Sequence, residues 1–414
     1  MLLLCTQTRV LVSMPLALQV DPIRAAFSLS DTQFSLVQGY AQSIPFVLAA
    51  PLWGLAADRW SQRNLLAASM VIVGCASIGT ALATDLWQLL AWRAVVGAGG
   101  AAIFPLAVTL ITARFDAAMH GRALGVFYAG VGLSPGLGAL AAGAMIEQAG
   151  TLPPEMLPAA LRPWQVTFLL TGLLVLGSAL LLLTVRDAPR RRASADAAPN
   201  TTPGLHPVTP PMGLPLIGAV FAALTLMSLL DDANLTWLAT VYSRNHDFTP
   251  RQAGDVLGVI ALVGGGAGPL VGGWLADRIF SRHGPAGRIW LCLLACAAST
   301  PLLLIYLQPD TGLLSVALTV SAFFLTASVT VGVVVLQQAL PARRKGLGTG
   351  LFYSALTLVA AGGGTIVALL NDRIFEDPLA LPRSVALVTV TLGLLATGCW
   401  LAALRLTSHK TAAT

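Results

Sequence analysis

Gly54-Leu-Ala-Ala-Asp58-Arg59 recurs 219 residues later as Gly273-Trp-Leu-Ala-Asp277-Arg278, each copy closing an apolar run of helical length. A second echo, Gly125-Val-Phe127-Tyr128-Ala against Gly350-Leu-Phe352-Tyr353-Ser, falls at an offset of 225 residues. Two echoes at nearly one spacing mark the chain as a duplication. The surrounding sequence says what is duplicated. Gly, Pro and charged residues delimit twelve runs at 2–20, 34–57, 65–83, 86–112, 121–146, 164–185, 214–242, 254–276, 289–307, 312–340, 346–370 and 384–406. About 20 apolar residues in a helix cross the roughly 30 Å of bilayer hydrocarbon. The first echo follows spans 2 and 8, and the second lies in spans 5 and 11, the equivalent positions of two sets of six.

The chain therefore reads as an all-α membrane protein with twelve transmembrane helices in two pseudo-symmetric six-helix bundles. The expected bundles are residues 1–185 and 214–406, joined by a linker at 186–213 and followed by a tail at 407–414. The linker, rich in Arg, Pro, Ala and Thr, has too little hydrophobicity to pack. Composition agrees: 56% of the 414 residues are hydrophobic and 10% are charged, against about 25% charged in a soluble domain. The N-terminal run lacks a basic leader region and is interrupted by Arg9, so it reads as a first span rather than a signal peptide.

The net charge of +6 does not indicate a nucleic-acid partner, because the basic residues are scattered through short connections. They indicate orientation. The connections after odd-numbered spans hold six basic residues, Arg24, Arg162, Arg244, Arg251, Arg373 and Arg383, and the opposite side holds sixteen. The positive-inside rule then places both termini and the linker in the cytoplasm, with the bundle in the cell membrane. All five cysteines lie in apolar runs and suggest neither disulfides nor zinc. All five histidines fall in connecting or terminal segments, which leaves carboxylates as the candidate proton carriers.

The repeated loop, with Arg63 four residues beyond Arg59, suggests a gate. Gly54 and Gly273 would let helices approach closely. Asp58 and Asp277, at helix ends, would meet basic residues or a helix N-terminus of the other half. Span 11 begins beside Arg343, Arg344 and Lys345, suited to Asp58, and span 5 beside His120 and Arg122, suited to Asp277. The bland alternative is ordinary charge flanking a helix; two copies at equivalent positions favour the gate, comprising Gly54, Asp58, Arg59, Arg63, Arg122, Gly273, Asp277, Arg278 and Arg344.

The same Gly-x-x-x-Asp-Arg signature resembles the loop motif of the major facilitator superfamily. Within it, the first half resembles the Spinster-like group through Leu29-Ser-Asp-Thr-Gln33, Gly39-Tyr-Ala, Trp87-Gln-Leu-Leu, Gly121-Arg-Ala-Leu-Gly125 and Leu183-Thr-Val-Arg-Asp-Ala-Pro189. Trp237-Leu and Ala253-Gly254 are weaker echoes. The resemblance implies the major facilitator fold and transport of amphipathic solutes such as lysolipids, often with protons. It also implies an Asp-Arg pair in span 1 and an Arg followed seven residues later by Glu in span 4. Here those positions read Thr8-Arg9 and Arg93 with Gly100, so both acids are missing.

Arg93 is costly within an apolar helix and is expected to face a cavity or counter-charge, the alternative being that it snorkels to the outer surface. Asp231 and Asp232 in span 7 offer replacement acids. Thr225, Ser228, Asp232, Thr236 and Thr240 form a helical stripe expected to face an aqueous cavity. A buried carboxylate beside a like charge holds its proton more tightly, as a carrier needs. Asp232 is therefore the expected principal proton site with Asp231 beside it, unless the pair caps a broken helix. Tyr40, Gln42, Tyr128, Trp237 and Tyr353 are candidate cavity residues, with packing as the alternative. Gly130 to Ala139 resembles a helix-bending Gly-Pro motif of exporters and tilts the reading toward efflux, although small-residue packing also accounts for it.

No phosphate loop, metal-ligand set or nucleophile-base constellation is evident, so neither an enzyme nor a cofactor is expected. The expected function is alternating-access transport of a small amphipathic organic solute, anionic where Arg93 meets it, with protons as candidate coupling ion and a monomer as the unit. The alternatives are export of a cationic drug-like solute, or a non-transporting sensor on the same scaffold.

Overall fold

The computed structural model of the chain describes residues 2–114, 119–151, 161–184, 213–339 and 345–411. Among these residues there is no strand, and eleven helices are long and apolar enough to cross a membrane, or twelve when the bent pair at the N-terminus counts as one span. The expected all-helical fold of twelve spans is thus observed. Parts of the gate and cavity sets fall outside the description: Arg344 altogether, and the side chains of Asp58, Arg122 and Tyr128.

Several spans run beyond their sequence boundaries. Span 1 comprises Leu2–Leu18 and Val20–Phe27, with a 75° bend between them. Pro22 explains the break, since it has no N–H to donate to the carbonyl of Leu18. Span 2 starts at Asp31 and is divided at Gly39 into Asp31–Gln38 and Tyr40–Arg59. Span 7 is unbroken over Leu214–His246, so His246 closes a span rather than lying in a connection. Span 8 carries a π-turn at Ile260–Gly265, where Pro269 leaves the Gly265 carbonyl without its usual donor. Spans 8 and 9 form one helical run interrupted at Gly284, whose φ of 61° glycine adopts without a steric penalty. Span 11 is broken after Ala360 and resumes as Gly363–Leu370.

The halves meet where small residues let backbones touch. A β-carbon at Gly136 of span 5 would lie 2.9 Å from the carbonyl oxygen of Gly258 in span 8, and one at Gly254 would lie 2.8 Å from that of Ala139. Such backbone approach is how helices gain packing energy in lipid, where no hydrophobic force draws them together. Span 5 stays helical through Pro135, over His120–Thr151. Gly136 and Ala139 of the Gly-Pro stretch take part in this interface. One continuous core of buried residues includes members of both halves, among them Phe34 and Trp237, whose ring centroids are 6.5 Å apart.

Candidate functional site: a central cavity sealed at one end

At the end of the bundle remote from residues 184 and 213, charged residues join the halves. The Arg244 guanidinium, at the end of span 7, donates to both oxygens of Asp21 (Nε at 3.0 and 3.2 Å) and both oxygens of Asp31 (2.9 Å each). Arg24 adds a second cation 2.8 Å from Asp31. Asp31 is 1% exposed. It stands in the first turn of a helix capped by Ser30 and Gln33, where the helix dipole also favours a negative charge. Forked Arg–carboxylate pairs are both directional and strong. The backbone N–H and hydroxyl of Thr32 donate to Asp372 of span 11 at 2.8 and 2.7 Å, and Ser35 bonds Thr365 at 3.2 Å. This closes the remote end with side chains from spans 1, 2, 7 and 11.

Between the halves, midway along span 7, lies a cavity of about 270 Å³. Spans 1, 5, 7, 8, 9 and 10 line it. Most of the wall is aliphatic, including Met14, Leu235, Leu257 and Ile260, and its described lining holds one carboxylate, Asp231, and no basic side chain. Asp231 is exposed to the cavity, and no hydrogen bond or ion pair links it to a described residue. Close by in the wall, the Tyr306 hydroxyl donates to Asn234 Oδ1 at 2.7 Å, and Asn234 Nδ2 donates to the Leu230 carbonyl at 3.0 Å.

A sequence profile of the Major Facilitator Superfamily matches residues 3–283 and again 220–414. The chain belongs to that superfamily. It is similar to human protein spinster homolog 1, with 30% identity over 171 residues, 41% of this chain and 30% of the relative. The chain thus spans about a third of the length of the spinster relatives it matches. The 3-(3-hydroxy-phenyl)propionate transporter of Escherichia coli is 27% identical over 381 residues, covering 90% of this chain and 83% of the relative. Among solved structures, a bacterial homolog of the human lysosomal transporter Spinster, crystallised inward-facing and unoccupied, superposes with a TM-score of 0.81 at 18% identity. The superposition covers 98% of this chain and 96% of that one. At that identity the likeness is one of fold.

Within this superfamily fold several expected site residues lie away from the cavity. Arg93 is 0% exposed, which excludes snorkelling, and it does not line the cavity. It donates to the Val12 carbonyl at 3.4 Å and to Gln42 Oε1, so it ties span 4 to spans 1 and 2. Its Nε has no partner. Gln42, also expected in the cavity, is this arginine's acceptor. Trp237 is fully buried and donates to the Gly364 carbonyl at 2.8 Å. Tyr40 stands against the span 11 break, its hydroxyl 2.6 Å from where a Gly362 β-carbon would be. Tyr353 is 46% exposed and lies outside the cavity wall.

The span 7 stripe does not line the cavity. Thr236 and Thr240 are buried, and Thr236 packs on Gly364, the small residues of span 11 admitting the wider face of span 7. Asp232 accepts from the Gly364 N–H at 3.0 Å. The cavity face is instead Asp231, Asn234, Leu235 and Leu238, a quarter-turn round the helix. Span 7 does not break at the acid pair; Asp232 caps a broken helix, but that of span 11.

On the linker side, β-carbons at Gly54 and Gly273 would meet nothing within 4 Å. Arg59 is exposed, and Arg63 donates to Asn64 at 3.1 Å and to the Leu183 carbonyl at the end of span 6. Asp277 pairs at 3.0 Å with Arg288 of its own half; the side chain of the expected partner, Arg122, lies outside the described residues. Arg288 also stacks on Phe280, and Arg278 lies over the Trp274 ring. Each of these contacts lies within one half. The remote charge cluster was missed from sequence because Arg24 and Arg244 counted only as topology signals; Asp21 and Asp31, each next to a span boundary, were the available clue.

Proposed function

We propose that this chain is a secondary active transporter that moves an amphipathic organic solute by alternating access. The observation supporting it is a largely aliphatic cavity between two halves, sealed at one end by charges drawn from both. Rocking of the halves would break that seal and bring the linker-side loops together. Gly54, Asp58, Arg59, Arg63, Gly273, Asp277 and Arg278, with Arg122 and Arg344, then form the inner gate, and Asp277 exchanges Arg288 for a partner in the other half. The charge bias across the connections puts that gate and both termini on the cytoplasmic side.

Aliphatic walls suit a solute tail, and Asp231 suits a polar end or a coupling proton. Proton coupling is assigned to Asp231, which meets the cavity, with Asp232 holding span 11. The purified chain in proteoliposomes, assayed for uptake of a panel of amphipathic solutes with and without an imposed pH gradient, tests the reading. Gradient-dependent accumulation of one solute class is the expected result. Movement of none under any gradient would leave the sensor alternative standing.

A further inference from the structure

The polar atoms of the cavity wall are unequal in kind. The hydroxyl proton of Tyr306 is engaged by Asn234, that of Ser321 by the Ser299 carbonyl at 3.2 Å, and that of Thr326 by the Ala322 carbonyl at 2.8 Å. Asn234 has one amide proton on Leu230 and its carbonyl oxygen on Tyr306. What these groups retain toward the cavity is chiefly lone pairs, since a hydroxyl has one proton and two acceptor positions. Asp231, unpaired among the described residues, is acceptor-only when ionised and has no basic neighbour in the described wall.

We propose that the cavity selects a protonated primary amine bearing an aliphatic tail, its ammonium group held by Asp231, with the free lone pairs of the wall hydroxyls as further acceptors. An ammonium supplies three N–H donors, of which the described wall keeps one in the second amide proton of Asn234, and a positive charge, of which it has none, while the tail meets leucine, isoleucine and methionine. A carboxylate or phosphate head would find almost no free donor and would face a negative charge. A quaternary ammonium would satisfy the charge but donate nothing. The anionic preference expected from Arg93 loses its basis because that arginine is engaged outside the cavity. The inference rests on the transporter reading for its biological meaning, but not for its measurement.

The test is calorimetric titration of the full chain in lipid nanodiscs, with empty nanodiscs as blank. The probes are n-hexylammonium, n-hexyltrimethylammonium, n-hexanoate and n-hexanol. The primary ammonium should bind saturably and tighter than the other three, and Asp231→Asn should weaken it by about tenfold or more, as loss of a charge-assisted hydrogen bond implies. An unchanged melting profile of Asp231→Asn separates this loss from misfolding, and Asp231→Glu should recover part of the binding. Hexanoate binding as tightly as hexylammonium, the quaternary ion matching the primary one, or ammonium affinity untouched by Asp231→Asn would each overturn the proposal. A chain that accumulates some other solute but binds no ammonium overturns it while leaving the transporter reading intact; one that binds ammonium yet moves nothing does the reverse.

Discussion

Asp232 in the middle of span 7 accepts a hydrogen bond from the backbone N–H of Gly364, at the start of the second helix of span 11. Five residues on, Trp237 donates to the carbonyl of the same glycine. One residue of span 11 is thus held from both sides by span 7, just beyond the break at Ala361 and Gly362. That break in turn touches the break in span 2, where a β-carbon on Gly39 would lie 2.6 Å from the Ala361 carbonyl oxygen. The irregular points of spans 2 and 11 meet across the halves, and Asp232 anchors one of them.

The first prediction follows from this capping role. Asp232→Ala should lower stability by about 0.5–2 kcal/mol, the range for losing a helix cap. Asp232→Asn, which keeps an acceptor oxygen, should lose less. Melting of the purified variants in one detergent measures both. Equal stability for Ala and wild type, combined with lost gradient coupling, would return Asp232 to the role of proton carrier.

The twelve spans were legible because hydrophobic length and duplication are one-dimensional properties: Asp58 and Asp277 lie at equivalent ends whatever the helices pack against. The cavity was only half legible. Asp231 and Asp232 stand out as acids in an apolar run, but adjacent helical residues point about 100° apart. Which of them meets the cavity depends on where Gly363 and Gly364 let span 11 approach. Helical spacing grouped Asp232 with Thr236 and Thr240, and the tertiary packing gave that face to protein. Arg93 misleads for a similar reason. Cost in lipid says that an arginine needs partners, not that the partner is a solute, and Gln42 lies 51 residues away in sequence.

Arg93 should therefore behave as a residue that braces spans 1, 2 and 4. Arg93→Lys loses the planar fork that reaches both Val12 and Gln42. A hydrogen bond to a charged group contributes about 1.5–3 kcal/mol, so destabilisation within that range is expected. Gln42→Ala should cost less than additively in its presence. Normal melting of Arg93→Gln with a selective loss of solute affinity would instead make this arginine a solute contact.

The inner gate predicts a change in accessibility rather than in folding. Asp58→Asn and Asp277→Asn should slow cycling and raise cysteine labelling from the linker side at cavity positions such as Leu235. Asp277 is 81% exposed in its pair with Arg288, so the stability cost of its replacement should be within about 1 kcal/mol. Labelling and transport that match wild type in both variants would remove the loops from the gating machinery.

The remote seal makes the opposite prediction, and a larger one. The Arg244 side chain is 7% exposed and that of Asp31 is 2% exposed, so removing either leaves the other buried charge with one counter-ion fewer, Arg24 for Asp31 or Asp21 for Arg244. A removal that leaves a buried charge wholly uncompensated costs about 3–5 kcal/mol, and the counter-ion that remains here brings the loss below that range. That cost falls only on the state in which the seal is formed, because rocking apart would return these groups to water. Arg244→Gln should therefore raise labelling at cavity positions from the remote side and lower it from the linker side. Combining Arg244→Gln with Asp31→Asn should recover part of the seal, since no uncompensated charge of that pair is then buried. Asp21 and Arg24 remain in the double variant, so recovery should be incomplete. Arg244→Gln alone that leaves labelling unchanged from both sides would show that Thr32 and Asp372, with the packing of Phe34 on Trp237, hold the halves together without the charges.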